Sequence, residues 1–183
     1  SHVSVWRWVQ RFSHLNACFT VGRVQCFMVD ETWIKVGGQE AWLWLAFEPY
    51  GRFLLGFYLS RTRNILVVEL FLQCLIDRYG RHPVYSDGAN WHPDACRSLG
   101  LEHHLYDVLR GNLMERLIQY VKDRTECFDD YFPCRKQRCR LDHVKGWLNY
   151  FTLSFNLFKR QEALVQSPII RLSQLIRGPK DPP

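Results

Sequence analysis

The chain has 183 residues, 47% of them hydrophobic and 15% aromatic, enough to bury one substantial core and, by length, to form one domain with short appendages. No stretch approaches the roughly 20 continuous apolar residues of a membrane span, the longest clear run being Ala41 to Phe47. The opening residues carry no signal-peptide pattern, and the odd set of seven cysteines, scattered through apolar segments, argues against a secreted disulfide framework; a cytoplasmic chain with reduced thiols is expected.

The net charge of +6 is unevenly spread: residues 1–109 hold ten charges of each sign, whereas from Arg110 onward 14 Lys or Arg face 8 Asp or Glu. A localised basic surface attracts a polyanion and gains from counterion release, so nucleic acid is the leading partner. A solvated basic face that serves only solubility is the competing explanation.

In chain order, Val5, Trp8, Val9 and Phe12 recur at helical spacing and leave Arg7, Gln10 and Arg11 facing outward, a pattern that suits the recognition helix of a helix-turn-helix and equally any short amphipathic helix. Three strand-like segments follow, Arg23–Lys35, Glu40–Glu48 and Arg52–Arg61, separated by Gly37-Gly38 and Pro49-Tyr50-Gly51; they read as an antiparallel meander. Asn64–Tyr79 is predicted helical with Gly80 just beyond it. Pro83–Ser86 is a short strand, Pro93–Leu99 a short helix, Leu101–Tyr106 a further strand and Asn112–Asp129 a long helix. Asp142–Arg160 and Ile169–Arg177 are expected to be two more helices. Three strands, then helix, strand, helix, strand and helix, give a mixed five-stranded α/β sheet flanked by helices, the ribonuclease-H-like order rather than a doubly wound one. The expected division is residues 1–20 as the remnant of a helix-turn-helix and linker, 21–160 as the catalytic domain, and 161–183 as a C-terminal helix and tail.

Asp30 and Glu31 interrupt the most apolar strand, where an ionised group costs several kcal/mol unless paired or bound to a metal. Asp87 closes the next strand at Ser86-Asp87-Gly88, which leaves its carboxylate at the strand tip or makes it an ordinary turn residue. Glu115 stands three residues after Asn112, the spacing of a capping box. On the same helix Glu115, Gln119, Lys122 and Glu126 form one stripe, opposite Leu113, Leu117 and Val121. If the first strand is central and the Pro83 strand pairs beside it, Asp30 and Asp87 converge, and the long helix can add Glu115. Three carboxylates suit a hard cation, Mg²⁺ or Mn²⁺, and two such ions can carry an in-line phosphodiester displacement.

Other residues invite chemistry more weakly. Cys127, Cys134, Cys139 and His143 lie near one another in sequence but lack a paired C-x-x-C knuckle, so core or loop thiols are the simpler reading than zinc. Trp91, beside Asp87, could stack on an unpaired base or pack the domain. Arg135, Lys136, Arg138 and Arg140 form the densest basic run and read as phosphate contacts.

The segments Asp30-Glu31-Thr32-Trp33-Ile34-Lys35-Val36, Leu59-Ser60-Arg61-Thr62-Arg63-Asn64, Ser86-Asp87-Gly88 with Trp91-His92-Pro93, and Asn112-Leu113-Met114-Glu115-Arg116 through Lys122-Asp123-Arg124-Thr125 together resemble the DDE transposases of archaeal and bacterial insertion sequences. The resemblance implies that Asp30, Asp87 and Glu115 are catalytic and bind two Mg²⁺ or Mn²⁺, with Glu102 or Glu126 as substitutes if the helix register differs. It implies that Lys122, Arg124 and Arg116 contact DNA near the site. The 27 residues between Asp87 and Glu115 fit a compact branch of the family. The implied activity is hydrolytic nicking at the element's ends, then attack of the freed 3′-hydroxyl on target DNA, by a nucleoid-associated homo-oligomer. A structure-specific nuclease of the same fold and a catalytically inactive, domesticated DNA-binding protein are the rival expectations.

Overall fold

The computed structural model describes residues 1–36, 38–125 and 140–176, with side chains as far as residue 162 except those of His2 and Thr125. Five strands, β1 (Phe27–Val36), β2 (Gln39–Glu48), β3 (Phe53–Ser60), β4 (Val84–Ser86) and β5 (His103–Leu105), form one sheet in the order β3-β2-β1-β4-β5. The β1–β2 and β2–β3 pairs are antiparallel, and β4 and β5 run parallel to β1. The predicted meander and the central position of β1 are therefore present, and the sheet is the expected mixed, five-stranded one.

Side-chain alternation along the strands divides the core in two. Met28, Ile34 and Val36 of β1 join Leu43, Leu45 and Phe47 of β2 on one face, against Met114, Leu117 and Val121 of α4 (Val108–Thr125) and Val144, Leu148 and Phe151 of α5 (Leu141–Ile176). On the other face Phe27, Val29, Trp44 and Ala46 meet Val68, Phe71, Leu72 and Leu75 of α2 (Ile65–Tyr79) and Ala95 and Cys96 of α3 (Trp91–Leu99). Asn64 caps α2 by accepting from Val67 N at 3.1 Å, and Gly80 ends it at φ 85°, as its flanking residues predict. Cys26 and Cys96 are buried free thiols whose pKa values burial pushes up to about 11, consistent with inert core cysteines.

Three elements differ from expectation. First, α4 begins at Val108, four residues before the predicted start. Asp107 is its cap, with Oδ1 accepting from Arg110 N at 2.7 Å, so Asn112 lies inside the helix and Glu115 is not the partner of a capping box. Second, the two predicted C-terminal helices are one continuous helix, α5. Its Asn156 is buried against the edge strand: Oδ1 accepts from Leu54 N and Nδ2 donates to Leu54 O, both at 2.9 Å. That amide completes the backbone pairing of Leu54 beside the irregularity at Ala46/Phe47.

Third, α1 (His2–Phe12) turns a different face inward. It packs on α5 through Val9, Trp6, whose ring meets His143 edge-on at 5.5 Å, and Gln10, whose Nε2 donates to His143 O at 3.1 Å. Gly146 leaves the room that Gln10 fills. Trp8, expected inside, is 61% exposed, and Gln10, expected outside, is half-buried against α5. The partner α5, rather than apolar periodicity, sets which face is covered. Arg7 and Arg11 are exposed as expected.

Candidate active site

β1 and β4 are adjacent and parallel, with Phe27 opposite Val84 and Met28 opposite Tyr85. The chain leaving β4 therefore delivers Asp87 to the level of Asp30. Gly88, at φ 88°, makes the turn after it; a side chain there would collide with Leu105. Asp87 is 49% exposed at its side chain, and its Oδ1 accepts from Ala89 N at 3.0 Å. Asp30 is partly buried, and its Oδ1 accepts from the neighbouring Glu31 N at 2.8 Å. Burial, with the charges of Glu31 and Asp87 adding to it, pushes the Asp30 pKa up to about 7, against the opposing pull of that amide and of Arg63. A half-buried carboxylate whose ionisation is discouraged by burial and by a neighbouring carboxylate forms a site that a cation would relieve.

Successive residues of a strand point to opposite faces, so Glu31 lies behind Asp30, on the α2–α3 side. Its Oε1 accepts from Arg63 Nε at 2.8 Å and Nη2 at 2.5 Å. The Arg63 guanidinium is clamped between the rings of Trp42, at 4.6 Å, and Trp91, at 4.2 Å. Burial raises the Glu31 pKa, and Arg63 opposes that rise. His92, 1% exposed, stands between the two acidic groups, Nε2 3.5 Å from Glu31 Oε2 and Nδ1 3.7 Å from Asp87 Oδ1. Burial lowers its pKa to about 4, so the ring is neutral at pH 7. Tyr106 closes the floor: its hydroxyl donates to Val29 O at 2.5 Å, and burial together with Asp30, Asp87 and Glu31 raises its pKa.

Glu115 is exposed on α4. Among the described residues no three His, Cys, Asp or Glu side chains converge closely enough to hold a metal ion, so Asp30 and Asp87 are brought together and Glu115 is not gathered with them. At about 100° per residue, Glu115 and Lys122 lie roughly 20° apart around α4, on its flank away from α5. Arg116 and Arg124 lie on the other flank. Arg124 sits over the Tyr120 ring at 3.4 Å. The face of Trp91 is taken by Arg63, and Glu102 is exposed, 2.9 Å from His104 Nε2. Arg135, Lys136, Arg138, Cys127, Cys134, Cys139 and Glu126 lie outside the described residues, while His143 packs against Trp6.

The Glu31–Arg63–His92 group had no assigned role in the sequence. Its only signal was that two adjacent acids in an apolar strand must face opposite ways, so one of them needs an internal partner.

The DDE domain of IS240-type transposases matches residues 24–146. The chain belongs to this DDE transposase family. A Methanocaldococcus jannaschii protein named "Uncharacterized protein MJ0017" is 32% identical over 132 residues, covering 72% of this chain and 60% of the relative; the chain thus spans about 60% of that relative's length. Among solved structures, the BIV integrase catalytic core domain superposes with a TM-score of 0.51 at 19% identity, covering 70% of this chain and 82% of that one. The HTLV-2 integrase catalytic core domain in complex with magnesium, dimeric form, gives 0.50 at 16%, covering 72% and 86%. The simian T-cell lymphotropic virus intasome in complex with a PP2A regulatory subunit gives 0.52 at 15%, covering 70% and 50%. At these identities the likeness is one of fold, and the DDE domain therefore has the ribonuclease-H-like architecture of integrase cores.

Proposed function

We propose that this DDE domain is the catalytic core of a DNA transposase that cuts the ends of an insertion sequence and joins the freed 3′-hydroxyl to target DNA. The observation that carries the reading is the convergence of Asp30, within β1, and Asp87, just past the end of the parallel strand β4, with Asp30 held near pKa 7 by burial and by its neighbours. The donor chemistry fits hard divalent ions, two Mg²⁺ or Mn²⁺, held by Asp30, Asp87 and, from α4, Glu115. Ions bound there would polarise the scissile phosphate and offset the charge that develops on it.

The chain's own residues do the rest. Glu31, Arg63 and His92 fix β1 and the Asp87 turn from behind, and the Tyr106 bond to Val29 holds the floor. Lys122, on the Glu115 flank of α4, and Arg116 and Arg124, on the other, position the DNA backbone. Arg7 and Arg11, Trp91, and Arg135, Lys136 and Arg138 are further candidates for DNA contact. Residues 21–160 form the catalytic unit, flanked by 1–20 and 161–183. The protein works as a homo-oligomer on DNA in the cytoplasm, in keeping with the finding that no helix among the described residues is long and apolar enough to cross a membrane.

The test is strand transfer of a 3′-hydroxyl oligonucleotide into supercoiled plasmid with Mn²⁺. Asp30→Ala, Asp87→Ala and Glu115→Ala should each reduce joining by about 1,000-fold or more, roughly 4 kcal/mol, with DNA affinity and circular dichroism retained. Unchanged joining in any of the three would remove that residue from the site. A second reading, DNA binding without catalysis, is favoured by the exposed, ungathered Glu115; wild-type protein that binds DNA but neither nicks nor joins it would establish that reading. Nicking without joining would mark a nuclease.

A further inference from the structure

The flank of α4 that faces α5 lines a cavity of about 570 Å³, within the roughly 300–1,000 Å³ of small-molecule sites. Its floor is aromatic: Phe47 from the end of β2, with Phe151 and Phe155 from α5. Two further rings, Tyr120 and Phe158, stand on the rim, and Phe158 is 61% exposed. Among the described residues four cations close the rim, Arg52, Arg116, Arg124 and Lys159, and no acidic side chain lines the cavity. Glu162 pairs with Lys159 at 2.8 Å from outside the lining.

Each element has a local cause. Arg52, at φ 57°, follows the β2–β3 turn in the left-handed conformation, and its side chain reaches the cleft. Tyr120 packs on Phe151 and Phe155 at 5.9 and 5.7 Å between centroids, which ties its ring to the floor. The Arg124 guanidinium lies on that ring at 3.4 Å and also donates to Tyr120 O at 3.0 Å. Flat π-faces ringed by fixed positive charge match a flat, polarisable ring that carries anionic groups on either side. An unpaired nucleotide has that composition: its base stacks on exposed rings and its flanking phosphates meet arginines. A duplex cannot offer it, because its bases are stacked on one another.

We propose that this cavity is a binding site for an unpaired nucleotide of single-stranded DNA, lying across α4 from the acidic residues. It rests on the DNA-binding part of the function proposed above and not on its chemistry. Glu115 and Lys122 lie on one flank of α4 while Leu113, Arg116, Tyr120 and Arg124 lie towards α5, so one helix serves both features. A strand crossing α4 would be held on the α5 side by stacking and on the opposite flank by backbone charge. Sequence preference at this site is weak, because every base has a π-face.

The test is done in EDTA, so that neither cleavage nor metal loading enters it. Fluorescence anisotropy compares the intact chain on a blunt duplex and on the same duplex with an unpaired 3′ tail. Wild type should bind the tailed DNA about tenfold more tightly; Phe158→Ala should lose most of that preference while binding the blunt duplex unchanged, and Phe158→Tyr should retain it. Because Phe158 is largely exposed, the alanine variant should fold, which circular dichroism checks. Photocrosslinking from 5-iododeoxyuridine in the tail should map to Tyr120 or Phe158. Equal weakening on both DNAs, no change, or crosslinks confined to other segments would overturn the proposal. A drop in oligomeric mass of Phe158→Ala with the tail preference intact would also overturn it, since a second copy of the chain would then be the occupant. If the tail preference holds while strand transfer fails, the cavity stands and the catalytic reading falls.

Discussion

The two sides of β1 treat negative charge in opposite ways. Behind the strand, Glu31 is enclosed, doubly bonded to Arg63 and flanked by His92, with two tryptophans clamping the arginine. In front, Asp30 has a single backbone donor and a carboxylate neighbour, and Asp87 opens to solvent. Protein groups meet the charge on one side, whereas on the other the described contacts of Asp30 are a backbone amide and a second carboxylate. The lesson is that the depth of an acid says little about its role until its partners are counted. The more enclosed acid, Glu31, is matched by Arg63, and the less satisfied one, Asp30, is the acid to which the proposed chemistry assigns a cation.

The comparison breaks most visibly at Asp30. Below about pH 4 the group is protonated in both the folded and the unfolded chain and costs nothing. Between the ordinary value of 3.8 and the folded value of about 7, the unfolded chain ionises first, so stability falls as pH rises, and the loss is complete above pH 7. Asp30→Asn should therefore be more stable than wild type at pH 8, by up to about 4 kcal/mol, with the gap closing towards pH 4. Mn²⁺ should narrow the gap by stabilising wild type alone. Urea denaturation at several pH values checks this, and a gap that widens on acidification would contradict it.

On the sealed side, Arg63→Met should leave Glu31 buried without its ion pair and cost about 3 kcal/mol, seen as a lower urea midpoint. The partial exposure of Arg63 keeps this at the low end of such losses. A midpoint unchanged from wild type would mean that Glu31 takes up a proton at little cost. The smallest stability effect belongs to Glu115→Gln, an exposed helix substitution expected to stay within about 0.5 kcal/mol, although the proposed chemistry makes it inactive in strand transfer. Marked destabilisation would point to a structural role for Glu115 instead.

Much of this arrangement could be read from the chain. The apolar runs around Val29 and Leu45 gave the meander, and the Ser86-Asp87-Gly88 step gave the strand tip that meets β1. The start of α4 was obscured because Gly111 and Asn112 look like a turn, while Val108 and Leu109, the true first residues, are exposed apolar side chains with no periodic partner. The inner face of α1 does not follow from apolar periodicity, because Gln10 finds its partner on α5, 133 residues away. Arg63 and His92 were legible only as motif residues. The bond of Arg63 to Glu31 and the packing of His92 beside it join three segments distant in sequence, and no local pattern encodes such contacts.

Adjacent residues of one strand hold the proposed cation-binding carboxylate and its structural counterpart, and only the alternation of the pleat keeps them apart. A slip of one position in the pairing of β1 with β2 would turn Glu31 outward to the solvent-facing cleft and drive Asp30 against the tryptophan clamp, too short to reach the guanidinium. Insertions or deletions within Phe27–Val36 should thus be far less tolerable than substitutions there. The chemistry proposed for this domain depends on hydrogen-bond register as much as on residue identity.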